Sequence, residues 1–179
     1  RIVERKPEVV TLLRTQYRMN EDIMRFSSDW FYHGKVVSAP QVRHRGILDY
    51  DIPMEWIAVE GEAGEPGEEF VGSSFGRVNK REAELTLDVL RRYFVKIGKQ
   101  RVLDEQIDVG VISPYRAQVQ YLRGSMKRDA FFKPFRHLVS VNTVDGFQGQ
   151  ERDVIVISLV RSNAEGQIGF LRDLRRMNV

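Results

Sequence analysis

Two short runs of almost uninterrupted apolar residues, Val109–Ile112 and Val154–Ile157, constrain the fold more than any other feature of the sequence. A strand that is covered by helices on both faces of a parallel sheet is apolar at successive positions, not at alternate ones. The strand candidates of the whole chain are Val9–Leu13, Glu55–Val59, Ile107–Ile112, Leu138–Val144 and Val154–Val160. Helical patterns lie between several of them, which predicts an α/β fold with a mainly parallel sheet flanked by helices.

Three helices have clear start signals. Glu82 follows Asn79 by three positions, which is the spacing of an N-terminal capping box, and Gly98 ends the same apolar pattern. A second helix begins near Asn20, where acidic residues occupy the first turn. A third follows Pro114, a residue suited to a first helical turn.

Composition limits the class of protein. A chain of 179 residues with 42% hydrophobic residues is long enough for one domain, predicted over residues 1–179. The absence of cysteine excludes disulfides and thiolate metal sites, and the three histidines lack a ligand spacing, so we expect no structural metal. No apolar run is long enough for a membrane span, so we expect no membrane partner and a cytoplasmic protein, or a nuclear one in a eukaryote. The net charge of +3 is compatible with a polyanionic partner.

Two segments interrupt the α/β pattern. Residues 60–76 are rich in Glu and Gly and low in apolar residues, which predicts a mobile acidic surface loop. Residues 123–137 interleave basic residues with three phenylalanines. That stretch could bind a single nucleic-acid strand through phosphate neutralisation and base stacking, or it could be a solvated connection whose phenylalanines anchor it to the core.

Polar residues that follow strands are the first candidates for a binding site, because ligands of open parallel sheets gather at the carboxyl ends of the strands. Residues 16–19, with the sequence QYRM, offer an aromatic ring for stacking and a guanidinium group for a phosphate. Residues 113–116, with the sequence SPYR, lie where a strand meets a helix, and their N–H and hydroxyl groups could hold a phosphate.

The connection over residues 141–153 is the third candidate. About ten residues separate two strand candidates, which is too short for a full crossover helix. Its glycines, amides and carboxylates give up core area and helix propensity, which favours a functional role over a structural one. Glu151 and Asp153 could also form the carboxylate pair of an unrelated hydrolase, but the local sequence supplies no second catalytic group or metal-binding set.

Four segments in this order resemble the motifs of superfamily 1 helicases of the Upf and Dna-two kind. They are QYRM at 16–19, SPYRAQ at 113–118, VNTVDGFQGQERDVIVISLVRSN at 141–163 and GFLRDLRRMNV at 169–179. They resemble motif IV, the region between motifs IV and V, motif V and the opening of motif VI. The resemblance implies a RecA-like, P-loop NTPase-like domain with three layers, which is the second of two motor domains that hold ATP between them.

The resemblance also implies roles for residues on the nucleotide side. Tyr17 would stack on the adenine and Arg18 would reach the terminal phosphate. Glu151 would contact the ribose or couple the ATP site to the strand, and Gln148 and Gly149 would shape that turn. Arg18 and Glu151 are accordingly the predicted catalytic residues.

On the nucleic-acid side, the resemblance implies contacts from five residues to the backbone of a single strand of DNA or RNA. They are Ser113, Pro114, Tyr115, Asn142 and Thr143. Backbone contacts position a strand without reading its sequence. They also leave the choice between DNA and RNA open, while the family resemblance favours movement from 5′ to 3′.

Parts of the helicase pattern are missing from this chain. It has no GxxxxGK[ST] loop and no acidic metal-binding box, so the phosphate cradle and the Mg²⁺ ligands are expected in an upstream RecA-like domain of the same protein. Arg175 and Arg176 lead towards the segment that carries the arginine finger in the family, and neither is assigned as the finger. The chain alone is therefore expected to be inactive. The alternative is a non-catalytic nucleic-acid-binding scaffold that uses residues 123–137.

Overall fold

The structure is a computed structural model that describes residues 10–59, 67–72 and 76–172. Contacts divide the chain into two compact units, residues 1–56 and residues 57–179, and each is described by itself. The prediction of one domain over 1–179 stays a prediction. In the described ranges, no helix combines the length and the apolar character that crossing a membrane requires.

In its described residues, 10–56, the first unit contains one helix and a two-stranded parallel sheet. Its elements are β1 (Thr15–Gln16), α1 (Glu21–Tyr32) and β2 (Val37–Ser38). The Asn20 side chain caps α1 by accepting the backbone N–H of Asp22 at 2.9 Å, and His33 ends the helix in the left-handed conformation. The helix predicted from Asn20 is therefore confirmed.

The second unit contains a parallel sheet flanked by helices. Its elements are β3 (Glu69–Val71), β4 (Gly76–Val78), α2 (Lys80–Ile97), α3 (Lys99–Asp104), β5 (Val109–Ser113), α4 (Arg116–Arg128), β6 (Val139–Thr143), α5 (Val144–Phe147) and β7 (Val154–Ile157). Short 3₁₀ turns cover Lys133–Phe135 and Gly169–Arg172. The three-stranded sheet has the order β6-β5-β7 and both of its pairings are parallel, which confirms the α/β prediction.

The core of the second unit forms where α2 and α4 pack on each other and on the sheet. Val109 and Val111 of β5 and Leu90 and Phe94 of α2 have no exposed surface. Asn79 caps α2 by accepting the backbone N–H of Glu82 at 2.9 Å, as its spacing predicts. The helix predicted after Pro114 is confirmed as α4.

Three strand predictions are wrong in whole or in part. Residues 10–13 and 55–59 form no strand, and Val9 lies outside the described residues. β7 is a strand, but Ile155 and Ile157 are half-exposed, so it is not covered on both faces among the described residues. A β-branched run becomes a strand only where a partner strand and a packing surface meet it, and a local pattern does not contain that information.

The loop predicted over residues 60–76 is partly a β-hairpin. β3 and β4 pair in antiparallel register, with Glu69 opposite Val78 and Val71 opposite Gly76. Lys80 Nζ lies 2.8 Å from Glu69 Oε2, and Arg77 Nη1 donates to Glu68 Oε1 at 2.6 Å. Ion pairs of this kind, between residues on the two sides of the hairpin, organise a segment whose composition is too polar to predict as structured. Residues 60–66 and 73–75 lie outside the described residues.

Candidate functional site

The QYRM turn of the first unit is organised by the Gln16 side chain. Gln16 Oε1 accepts the backbone N–H groups of Arg18 at 2.7 Å and Met19 at 2.9 Å, and its Nε2 donates to Met19 O at 2.6 Å. Arg45 Nη1 donates to Arg18 O at 3.3 Å. The turn presents Tyr17 with 67% of its surface exposed, and Arg18 is exposed as well. A free aromatic face beside a guanidinium group is chemically suited to a nucleoside phosphate.

The predicted strand-binding residues of the second unit meet at one edge of the sheet. Ser113 ends β5 and pairs in register with Thr143, which ends β6, while Ile112 pairs with Asn142. Because the strands are parallel, these residues lie at the carboxyl edge that the sequence singles out. The structure therefore brings together Ser113, Asn142 and Thr143, and Pro114 and Tyr115 follow Ser113 directly.

The exposure of these residues differs. Ser113 has no exposed surface, so it would have to be uncovered before it could contact a strand. Asn142, Thr143, Pro114 and Tyr115 are partly exposed. The Tyr115 hydroxyl oxygen is buried, which leaves other parts of Tyr115 as the accessible surface. The five contacts remain predictions, and the structure favours four of the residues as directly accessible.

The connection between β6 and β7 is compressed as expected. The four-residue helix α5 takes the place of a crossover helix, and Thr143 caps it by accepting the Gly146 N–H at 3.3 Å. A Cβ atom on Gly146 would lie 2.5 Å from Oδ1 of Asn142, so only glycine lets the Asn142 amide lie against α5. The ring of Phe147 packs over Gly110, where a Cβ atom would approach it to 2.8 Å.

The residues predicted for the nucleotide side follow α5 in the second unit. Gln148, Gly149 and Glu151 are exposed, and Gly149 adopts a positive φ of 79° that favours glycine. The chain here returns to the amino edge of the sheet, where Val154 pairs with Val109. These residues lie in the second unit, whereas the QYRM turn lies in the first.

Two positioning residues were not predicted from the sequence. Gln16 is the first residue of QYRM, but the motif indicates no role for its side chain. Arg152 anchors the β6–β7 connection: it donates to Gln150 Oε1 at 2.7 Å and to Ser140 Oγ at 3.2 Å, and its guanidinium carbon lies 5.5 Å from the Phe147 ring centroid. For both Gln16 and Arg152, the sequence feature that could have indicated a positioning role is a polar side chain next to a predicted site residue.

The carboxylate pair of the hydrolase alternative is not assembled as a catalytic site. Asp153 Oδ2 accepts the backbone N–H of Asp108 at 3.1 Å, and the Asp153 N–H donates to Asp108 Oδ1 at 2.9 Å. This reciprocal pair fixes the start of β7 beside β5, which is a structural use of the carboxylate. Glu151 is exposed two residues earlier.

The phenylalanines of residues 123–137 anchor that stretch to the core. Phe132 and Phe135 are buried, and the Phe135 ring centroid lies 4.9 Å from that of Phe94 in an edge-on arrangement. Arg123 donates to Val141 O at 2.8 Å. Phe132 and Phe135 are thus not available for base stacking, which favours the solvated connection, while Phe131 is partly exposed.

With this geometry in place, comparison with known proteins identifies the family. The family described as "AAA domain" matches residues 1–179, which is the whole chain. The chain belongs to the AAA domain family. Its sheet flanked by helices is consistent with the RecA-like fold that the sequence predicted.

Relatives of this AAA domain are helicases. An uncharacterized ATP-dependent helicase of Methanocaldococcus jannaschii is 36% identical over 194 residues, covering 100% of this chain and 26% of the relative. The DNA polymerase alpha-associated DNA helicase A of Saccharomyces cerevisiae is 34% identical, covering 97% and 26%. The regulator of nonsense transcripts 1 homolog of Neurospora crassa is 36% identical, covering 93% and 15%. The resemblance to superfamily 1 helicases of the Upf and Dna-two kind is confirmed.

This AAA domain spans about a quarter of the length of the first two of these relatives, 26% of each. Within the described residues, no group of three or more His, Asp or Glu side chains is arranged to hold a metal ion. The exposed Tyr17 ring and Arg18 guanidinium fit a nucleotide.

Proposed function

We propose that this AAA domain is the second motor domain of an ATP-dependent helicase and supplies one side of its ATP site and part of its track for a single strand. The observation that carries the proposal is the QYRM turn, in which Gln16 uses both ends of its amide to present Tyr17 and Arg18 to solvent. The ATP-dependent helicase named among the relatives supports it.

On the nucleotide side, hydrolysis of the terminal phosphate of ATP supplies the free energy for movement. Tyr17 holds the adenine by stacking, and its position on a rigid turn reduces the entropy lost on binding. Arg18 places positive charge on the terminal phosphate, where it stabilises the charge that shifts during transfer. Glu151 contacts the ribose or couples the ATP site to the strand, and Gln148 and Gly149 shape its turn.

On the nucleic-acid side, the carboxyl edge of the sheet holds the backbone of the strand. Asn142 and Thr143 supply an amide and a hydroxyl, and Pro114 and Tyr115 supply the neighbouring turn. Contacts of this kind bind without reading sequence. One relative is named a DNA helicase and another a regulator of nonsense transcripts, so the proposal covers single-stranded DNA and RNA alike, with movement from 5′ to 3′.

The upstream RecA-like domain of the same protein is the proposed partner of the QYRM turn. Arg18 acts across the cleft between the two motor domains, and closing of that cleft excludes water from the phosphate. The upstream domain supplies the phosphate loop and the Mg²⁺ ligands. ATP-dependent opening and closing of the cleft then moves the pair along a strand.

The test is the Arg18→Ala variant of the full-length protein, assayed for ATP turnover in the presence of single-stranded DNA and RNA. We expect kcat to fall by about 10²-fold or more, as when one preorganised charge-stabilising group is removed. Arg25→Ala is the matched control, because Arg25 is an exposed arginine of the same unit that pairs with Asp22 at 2.7 Å on the surface. Equal turnover of the Arg18→Ala variant and the wild type would contradict the proposal.

A further inference from the structure

An ion triad of two nearly buried side chains and one partly exposed arginine lies in the second unit, and none of its members is a predicted site residue. Arg77 Nη1 donates to Oε1 of Glu68 at 2.6 Å, and Arg161 Nε lies 2.7 Å from the other carboxylate oxygen. The side chains of Glu68 and Arg161 are each 6% exposed. Burying charged groups costs free energy unless the geometry is good, so a buried triad specifies one arrangement of the segments that contribute to it.

Arg161 reaches the triad because the chain turns sharply one residue earlier. Val160, which follows β7 closely, is fully buried and has a φ of 74°, a strained conformation for a β-branched residue. Its N–H donates to both carboxylate oxygens of Glu82, at 3.0 and 2.9 Å, and its carbonyl accepts Asn79 Nδ2 at 3.2 Å. The amino end of α2 thus holds the strained backbone, and strain of this kind is concentrated at switch and ligand-binding segments.

The Arg161 guanidinium also contacts two segments that matter for the proposed function. A Cβ atom on Gly169 would lie 2.2 Å from Arg161 Nη1 and 3.3 Å from the Tyr115 hydroxyl oxygen, so glycine leaves room for both groups. Burial lowers the pKa of Arg161, but the nearby Tyr115 hydroxyl and the attraction of Glu68 outweigh it and the pKa is raised. The group is therefore a permanent cation in this position.

We propose that Arg161 is a positioning residue that links the strand-binding turn at Tyr115 to the segment beginning at Gly169, so that ATP turnover depends on a bound strand. The segment from Gly169 resembles the opening of helicase motif VI. A displacement of Tyr115 by the strand is passed through the guanidinium to Gly169, because the two contacts share one rigid planar group. This inference rests on the proposed function above.

The test is Arg161→Lys in the full-length protein. Lysine keeps the charge but offers a single flexible donor group that does not contact Glu68, Tyr115 and Gly169 together. We expect the ratio of strand-stimulated to basal ATP turnover to fall by about tenfold, within the usual range of coupling between two sites. Basal turnover and the Kd for a single-stranded oligonucleotide, measured by fluorescence anisotropy, should stay within about twofold of the wild type.

Arg77→Lys is the matched control. Arg77 also pairs with the Glu68 carboxylate, and its guanidinium carbon lies 4.4 Å from the centroid of the Phe70 ring. We expect this variant to lower the Tm as Arg161→Lys does and to keep the stimulation ratio of the wild type. If both variants change the ratio equally, Arg161 has a purely structural role and the inference is overturned.

The outcomes separate this inference from the proposed function. A wild-type protein whose turnover does not respond to any strand overturns the proposed function and the inference with it. A responsive wild type with an unchanged ratio in Arg161→Lys overturns the inference alone. If Arg161→Lys fails to fold, Gly169→Ala is used in its place, because the added methyl group displaces the Arg161 guanidinium. A lowered ratio of strand-stimulated to basal turnover in this variant supports the coupling, and an unchanged ratio overturns it.

Discussion

Gln16 shows how one side chain can determine the exposure of its neighbours. Its carbonyl oxygen accepts two backbone N–H groups, and its amide nitrogen donates back to Met19 O. Leaving one such group without a partner where it is buried costs about 1–3 kcal/mol. The glutamine therefore holds the turn in one conformation in which Tyr17 and Arg18 are exposed.

Replacement of Tyr17 should weaken nucleotide binding. Stacking of a base on an aromatic ring is worth about 1–3 kcal/mol, so Tyr17→Ala is expected to raise the KM for ATP by about 5- to 150-fold. Tyr17→Phe keeps the ring and should keep the KM. Tyr50→Ala is the control, since Tyr50 is also an exposed tyrosine of the first unit. An unchanged KM in Tyr17→Ala would show that the ring does not hold the base.

At the scale of elements, α5 explains how ten residues join two parallel strands that flank a third. The helix has one turn, and two glycines give it space: Gly110 under the Phe147 ring and Gly146 beside the Asn142 amide. Thr143 closes the turn as its cap. The same contacts that compress the connection also fix the orientation of Asn142 at the carboxyl edge.

Gly146→Ala should therefore reduce strand binding. Alanine is favoured over glycine in a helix by about 1 kcal/mol, so any loss must come from the clash with the Asn142 amide. We expect the Kd for a single-stranded oligonucleotide to rise by about tenfold, the size of one lost hydrogen-bonding group. Gly124→Ala in α4 is the control, because its Cβ would meet the flexible end of Arg128 at 3.3 Å. Equal affinities of the two variants for the oligonucleotide would show that Asn142 does not contribute to strand binding.

The phenylalanine cluster is expected to contribute stability and not strand affinity. Phe135→Ala removes a ring that is 1% exposed and packs on Phe94, and the expected loss of unfolding free energy is about 3–5 kcal/mol. Urea denaturation of the purified chain measures it. Lys133→Ala, at an exposed position of the same turn, should change stability by less than about 0.5 kcal/mol. A strand affinity that falls while stability is retained would restore the base-stacking hypothesis.

At the scale of the whole molecule, the proposed function assigns only part of an ATP site to this chain. Tyr17 and Arg18 lie in one compact unit, Glu151 lies in the other, and the sequence has no phosphate loop. Stabilisation of charge on a transferred phosphoryl group needs several groups at once, and an arginine finger alone is worth about 10³–10⁵ in kcat. Under the proposed function, this chain therefore assists catalysis without performing it.

The isolated 179-residue chain should accordingly show no ATP turnover above background, with or without a strand, while the full-length protein turns over ATP in both conditions. A coupled assay for released phosphate makes the comparison at equal concentrations. Turnover by the isolated chain that is lost in Glu151→Gln would contradict the two-domain proposal and favour the independent hydrolase instead.

The sequence by itself determined three of the helices, two of them with their asparagine caps, the parallel character of the sheet and the family, because caps, apolar periodicity and ordered motifs depend on residues close together in the chain. The tertiary structure decided the rest. Residues 10–13 and 55–59 have strand composition but pair with no strand in the described part of the chain. The polar β3–β4 hairpin forms nevertheless, with ion pairs from Arg77, Lys80 and Arg161. Glu68 and Arg161 are 93 residues apart, so no local pattern contains their ion pair; pairing between distant segments is a property of the folded chain.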